Sequence, residues 1–234
     1  MINMTKSFVH FWDSEADKKG ARERAERVLK PTRKYNKKAS KVLELGVGIG
    51  KVLVHFPKSF EIFGLDIEKE YVDVCKERIK RGKFFVSSMH NFRLGEKFDV
   101  IFSVYDSINF LETFSQWKST FKAVYAHLNE KGLFIFDMYT PKALQHFKGS
   151  RATASKISKG YEIFWAIIKG NTLTWDFKIF EKMTEELYQI NEYLWKETIY
   201  PVSKVKSALI KHFEILQTKQ WEDGRRILFV CRKK

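Results

Sequence analysis

The chain has 234 residues, 44% hydrophobic and 15% aromatic, enough to bury one sizeable core in a single domain with an insertion. Its 12 Gly and 4 Pro exclude a fibrous or disordered chain, and its longest apolar runs fall far short of the roughly 20 residues a membrane-spanning helix needs. Lys and Arg outnumber Asp and Glu by 43 to 28, a net charge of +15, which sets a phosphate-tracking surface against ordinary solvated helix faces.

The first segment, MINMTKSFVHFWDSEADKKG, lacks an apolar stretch and carries acids early, so a cytoplasmic protein without signal or transit peptide is expected. ARERAERVLK places Ala21, Ala25, Val28 and Leu29 on one helical face, and Pro31 predicts its end. KVLEL reads as a short buried strand, and KVLVHF after the glycines as a short helix closed by Pro57. FEIFGLDI (60–67) is a second strand, followed by a helix with Val72, Cys75 and Ile79 inward. KFFVSS and KFDVIFSVYD (97–106) are the third and fourth strands. A helix with Trp117, Phe121, Val124 and Leu128 in one stripe leads to a fifth strand, LFIFDMY (133–139). Apolar strands alternating with helices predict a doubly wound parallel sheet.

After Pro141 the period falls to two. Tyr161, Ile163, Trp165 and Ile167 share one face, Leu173, Trp175, Phe177 and Ile179 another, and KGNT supplies a hairpin turn between them. ELYQINEYLWKETIY gives a third antiparallel strand, PVSKVKSALIK a brief helix, and FEILQTKQ and RRILFVCRK a terminal hairpin. Cys75 and Cys231 sit in apolar segments and read as buried thiols in a reducing compartment, with no metal or disulfide pattern.

The stretch VLELGVGIG (42–50) carries the strongest signal. Alternate glycines after a buried strand let backbone approach a ligand where a Cβ would clash, and a following helix would present free N–H groups to polar ligand atoms. The spacing is Glu44-x-Gly46-x-Gly48-x-Gly50. A dinucleotide fingerprint would want glycine where Lys51 stands, which disfavours an NAD-dependent oxidoreductase. Asp66 ends the second strand, where a carboxylate can accept from both ribose hydroxyls.

These residues carry a resemblance. VLELGVGIGKVLVHF, GLDI, SSMHNF, KFDVIFSVYDSINFL and LNEKGLFIFDMYTP resemble the successive motifs of class I S-adenosylmethionine-dependent methyltransferases over about residues 40 to 141. The period-2 insertion, with DSINFL and FDMYTP, more loosely resembles a small-molecule subgroup related to amino-sugar and glycine N-methyltransferase-like enzymes. The fold implied is α/β: a doubly wound, mostly parallel seven-stranded Rossmann-like sheet with an antiparallel β insertion before the C-terminal hairpin. The implied organisation is an N-terminal helical lid (1–38), a cofactor-binding core (39–145), an acceptor cap (146–200), and a last helix and hairpin completing the sheet (201–234).

The resemblance implies S-adenosylmethionine as cofactor, with Gly46, Gly48 and Gly50 passing under it and Val47 giving backbone contacts. Glu44 would orient the loop or reach the methionine amino group, Asp66 would hold the ribose, and Ile67 would pack on adenine. Ser88 and Met89 would frame the adenine, although Ser88 stands where the family usually has an acid. Val104 would close the cofactor floor.

Methyl transfer from a sulfonium needs alignment more than acid–base groups. Tyr105 and Asp106, just past the fourth strand, are the candidates to position the acceptor or take its proton, set against a purely capping role for Asp106. His90 reads as a loop residue before a base. Trp165, Trp175, Phe177 and Tyr193 are candidates to roof the acceptor, set against simple packing, and Phe8, Phe11 and Trp12 are candidates for a lid. The expected activity is methyl transfer to nitrogen or oxygen of a small molecule, by a monomer or homodimer with no membrane partner. An RNA acceptor, suggested by the basic surface but lacking N-P-P-Y or D-P-P-Y, and a non-catalytic cofactor-binding scaffold are the alternatives.

Overall fold

A computed structural model describes residues 16–157 and 160–234, with side chains from residue 20 onward outside that short gap. Phe8, Phe11 and Trp12 of the expected lid therefore lie outside the described residues.

Helix α1 (Ala16–Tyr35) precedes β1 (Lys41–Leu45), β2 (Glu61–Asp66), α2 (Lys69–Arg78), β3 (Gly82–Val86), β4 (Phe98–Ser103), α3 (Phe114–His127) and β5 (Leu128–Tyr139). Beyond α4 (Pro141–Phe147) come β6 (Thr153–Ile157), β7 (Gly160–Lys169), β8 (Thr172–Lys182), β9 (Tyr188–Thr198), α5 (Val202–Leu209), β10 (Phe213–Trp221) and β11 (Arg226–Lys233). The main sheet runs β10-β11-β5-β4-β1-β2-β3, and β6-β7-β8-β9 form a second, antiparallel sheet. In the main sheet β1 to β5 are mutually parallel, and β11 lies antiparallel to β5. The order reverses between β1 and β4, which puts the topological switch point at their C-terminal ends.

Alternation along β1 divides the core. Leu43 and Leu45 join Phe63, Phe98, Trp117, Phe121 and Phe134 on one side, while Val42 joins Val28, Leu29, Val72 and Val100 on the other. Burial on both sides accounts for the near-continuous apolar strands. Helix α3 starts where Thr113 and Gln116 form a reciprocal capping box.

Two local expectations are corrected. Helix α1 does not stop at Pro31 but continues to Tyr35. Proline removes one N–H, and the Thr32 hydroxyl donates to the Val28 carbonyl at 2.8 Å within the same turn. After the glycines, KVLVHF forms only a three-residue 3-10 turn, Leu53–His55, so no helix dipole backs the loop there. Strand β6 was not legible, because TASKI is largely exposed and lacks alternation.

The second sheet is held to the first by Asn109, which is fully buried in a 3-10 turn, Ser107–Phe110, after β4. Its amide donates to the Thr198 carbonyl at 3.0 Å and accepts from the Tyr139 N–H at 3.0 Å. Asn109→Ala is expected to cost about 2–4 kcal/mol, because two buried backbone groups lose their partners. A fall in the urea midpoint at unchanged m value would check this.

Candidate active site

The glycine loop is fastened from beneath. Gly46 and Val47 N–H groups both donate to the Leu65 carbonyl at 2.9 Å, and Val47 packs where a Cβ on Gly64 would stand. Helix α2 holds the loop carbonyls: the Cys75 thiol donates to Gly48 O at 3.1 Å and Arg78 to Ile49 O at 2.8 Å. Gly46 and Gly50 have φ of +70° and +77°, and an added Cβ would crowd Ser107 at 2.8 Å or Cys75 and Ile79 at 3.1 Å. At Gly48, φ is +52° and a Cβ would meet no protein atom within 4 Å. Open space beside the half-buried backbone, and not internal packing, is what glycine provides there.

Asp66 lies beside this loop. Its carboxylate accepts from Gly48 N–H at 2.8 Å and Glu68 N–H at 3.1 Å. Burial pushes its pKa up to about 6, partly offset by those backbone donors. Ile67, next in the chain, is 66% exposed, an apolar side chain at the rim. Ser88 and Met89 follow β3; the Ser88 hydroxyl is 2.6 Å from His90 Nδ1, and Met89 reaches within 3.3 Å of the position a Gly46 Cβ would take. His90 is therefore engaged with Ser88 in the loop. Val104 is buried at the end of β4.

Glu44 is buried on the α1 side of β1, and its Oε2 accepts no hydrogen bond among the described residues. Burial pushes its pKa well up, opposed by the charge of Arg24. Arg24, on α1, also lies over the Tyr105 ring at 4.2 Å. Sequence reasoning passed over Arg24 because a lone arginine on a basic helix face carries no local signal.

Tyr105 and Asp106 both adopt positive φ, 63° and 52°, an arrangement that costs roughly 1–3 kcal/mol per residue and persists only where surrounding contacts impose it. The Asp106 N–H donates to Asp137 Oδ1 at 2.7 Å, and its carboxylate forms a buried ion pair with Arg226. Asp106 stands at the N-cap position of the 3-10 turn, yet its side chain makes no capping bond. Arg226 also donates to the Tyr139 hydroxyl at 2.6 Å and to Glu222 at 3.2 Å, and lies 5.8 Å over Tyr105. Tyr105 is thus flanked by two guanidiniums, one from the cofactor-loop side and one from this cluster.

Glu197, on β9, completes the cluster. The Trp175 indole N–H donates to its Oε1 at 3.0 Å, whereas Oε2 has no donor among the described residues, nor has Asp137 Oδ2. Asp137 is pushed to about 6 by burial and then by Asp106, with Arg226 opposing. Burial acts against the Arg226 charge, but Asp106 more than reverses it. The sequence carried a signal for Asp137, an acid inside the apolar run LFIFDMY, as it did for Glu44. Glu197 and Arg226 stood at strand ends with none.

Of the proposed aromatic roof, Trp175, Phe177 and Tyr193 share the inner face of the second sheet with Phe164 and Trp195. Trp165 is corrected: its register partner is Asp176, so it stands on the opposite face, under Lys178. On β7 the packed residues are Phe164, Ala166 and Ile168, while Tyr161 and Ile167 are exposed. Both faces of this strand are apolar, so alternation alone could not say which packs.

Arg226→Met is expected to destabilise the fold by about 3–5 kcal/mol at neutral pH, since it strands buried carboxyls. Those carboxyls then have folded pKa values further above their unfolded value of roughly 4. A raised carboxyl pKa removes stability as pH rises, so the deficit should be largest above the Asp137 range and shrink toward pH 4. Denaturation midpoints of both proteins at acid and alkaline pH would check the sign.

The chain is similar to known methyltransferases. Residues 42–132 match the family described as Methyltransferase domain. The dTDP-3-amino-3,4,6-trideoxy-alpha-D-glucopyranose N,N-dimethyltransferase of Streptomyces venezuelae is 27% identical over 100 residues, 42% of each chain. An S-adenosylmethionine-dependent methyltransferase from Clostridium acetobutylicum ATCC 824 superposes with TM-score 0.85 at 18% identity, covering 97% of this chain and 98% of that one. The sugar N-methyltransferase KedS8 from Streptoalloteichus sp ATCC 53650 gives TM-score 0.84 at 18% identity, over 97% and 92%. Residues 42–132 match a methyltransferase domain, and the chain as a whole has the Rossmann-like methyltransferase fold.

Proposed function

We propose that this protein transfers a methyl group from S-adenosylmethionine to a small-molecule acceptor, at nitrogen in preference to oxygen. The carrying observation is the juxtaposition at the switch point: a glycine loop tied to a buried carboxylate on one side, and an acid-lined cluster behind Tyr105 on the other. Bound there, S-adenosylmethionine supplies a methyl group on a sulfonium sulfur. Gly48 leaves backbone open to the ligand, Asp66 accepts from the ribose hydroxyls, and Ile67 offers an apolar surface for adenine. Ser88 and Met89 flank the same end, and Val104 lies beneath. Gly46, Val47 and Gly50 hold the loop's path. Glu44 and Arg24 present opposite charges that suit the ammonium and carboxylate of the methionine moiety. Tyr105 and Asp106 position the acceptor.

The nitrogen preference draws on the sugar N-methyltransferases among the similar proteins and on the acidic lining, which suits a basic group. The RNA alternative draws on the basic surface alone, and neither N-P-P-Y nor D-P-P-Y accompanies it. Residues 146–200 are proposed as the acceptor cap, supported by Trp175 and Glu197 facing the cluster from β8 and β9.

Asp66 supplies the test. Calorimetric titration with S-adenosylhomocysteine should show Asp66→Asn binding roughly ten- to a hundredfold more weakly, the loss expected for charge-assisted hydrogen bonds. In the wild type the ionised carboxylate is the binding form, so affinity should be full above about pH 6 and fall about tenfold per unit below it. Binding by neither protein would overturn the cofactor assignment to this loop, and equal binding by both would remove Asp66 from it.

A further inference from the structure

We propose that the outward face of the second sheet binds the same face of a second copy of this chain, making the protein a two-fold dimer. The inference is independent of the methyl-transfer reading and concerns a surface to which that reading gives no task.

Register sorts the two faces of this sheet. Phe164, Phe177 and Tyr193 pack inward, so Tyr161, Ile163, Trp165 and Ile167 form a row along the outer side of β7. Across Phe180 and Asp176 of β8, register brings Ile190 and Leu194 of β9 onto the same outer side. The two apolar rows join at one end, where the Tyr161 and Tyr188 rings lie 6.5 Å apart. Tyr161, Ile167, Tyr188, Ile190 and Leu194 are each between 39% and 57% exposed. Single exposed apolar residues are ordinary, but a contiguous set on one face marks an interaction surface. The sequence of β7 agrees. Ile163 to Ile168 are six consecutive apolar residues, the pattern of a strand covered on both faces, whereas a sheet with one solvated face alternates.

Charge and area name the occupant. Lys178 sits between the two rows, ion-paired to Asp176 at 3.3 Å and to Glu192 at 2.7 Å. The middle of the face therefore carries both signs with one acid in excess, although the whole chain is +15. A polyanion would meet those acids, and two copies approaching by their cationic faces would repel. A two-fold axis instead lays the apolar rows and the Lys178 cluster of one copy against those of the other, the self-complementary contact of an isologous dimer. Three long strands about 4.8 Å apart, rising about 3.3 Å per residue, cover roughly 600 Å² in plan with β6 beside them. Side-chain relief brings the accessible area close to the roughly 800 Å² per partner of a stable interface. The inner side of the same strands carries Trp175 and Tyr193, so the second copy backs the wall of the candidate acceptor site.

Sedimentation equilibrium of the full chain is the test. Interfaces of this size bind with Kd of about 1 µM or tighter, so at about 50 µM the wild type should show twice its 27.7 kDa mass. A 27.7 kDa species there overturns the inference, whether the face then stays open or another part of the chain covers it. The double substitution Ile167→Lys with Leu194→Lys sets like charges against each other across the contact and should weaken the dimer at least about a hundredfold. An unweakened dimer overturns the inference. Ile210→Lys, at an apolar position 51% exposed just after α5, should leave the dimer as it is. Equal weakening there means that net charge and not this face governs association, which also overturns it. Should circular dichroism show the double variant unfolded, hydroxyl-radical footprinting of the wild type decides. Tyr161, Ile190 and Leu194 should oxidise several-fold more slowly in concentrated than in dilute solution, and protection elsewhere or nowhere overturns the inference.

Discussion

Arg226 is buried among Asp106, Asp137, Tyr139 and Glu197, and much of the sheet's C-terminal edge is arranged to keep it there. A desolvated guanidinium is stable only with acids and hydroxyls placed on its donors. That requirement reaches the backbone: two consecutive non-glycine residues take left-handed conformations after β4, and the Asp106 N–H bonds to Asp137. It also reaches across sheets, because β11, β5, β4 and β9 each contribute a member. The terminal hairpin is therefore more than a closing edge. It delivers the cation around which the candidate acceptor cluster is built.

The second consequence is a division of labour about Tyr105. On its cofactor-loop side stand Arg24 and Glu44, and on the other Arg226 and its acids. Opposite charges on both sides, each shielded from water, give two polar compartments separated by one ring. Proximity dominates methyl transfer, and under the proposed function a fixed partition of this kind would set the approach of the two reactants.

The parallel sheet was legible because β1, β2, β4 and β5 are buried on both faces and read as unbroken apolar runs between glycine and helix signals. The cofactor side was legible for a related reason: Glu44 stands two residues before the glycine loop and Asp66 ends the next strand, both within the first β-loop-β unit. The acceptor side was not. Asp106 and its ion-pair partner Arg226 stand 120 residues apart, and no local pattern encodes that closeness. Strand β7 shows the limit of periodicity, since Tyr161, Trp165 and Ile167 alternate as cleanly as Phe164, Ala166 and Ile168, which carry the packing. Pro31 misled because a proline removes one N–H without stopping a helix whose later turns still pack and bond, and α1 runs on to Tyr35.

Cys75 gives the glycine loop a clock. Its thiol is buried beneath the loop, donates to the Gly48 carbonyl and is pushed up by burial, so it is inert while loop and helix α2 stay together. An alkylating reagent reaches the sulfur only during local separation of the two. The rate of labelling therefore reports how often the loop lifts, and any ligand that presses on Gly48 from above slows that clock in proportion to its occupancy.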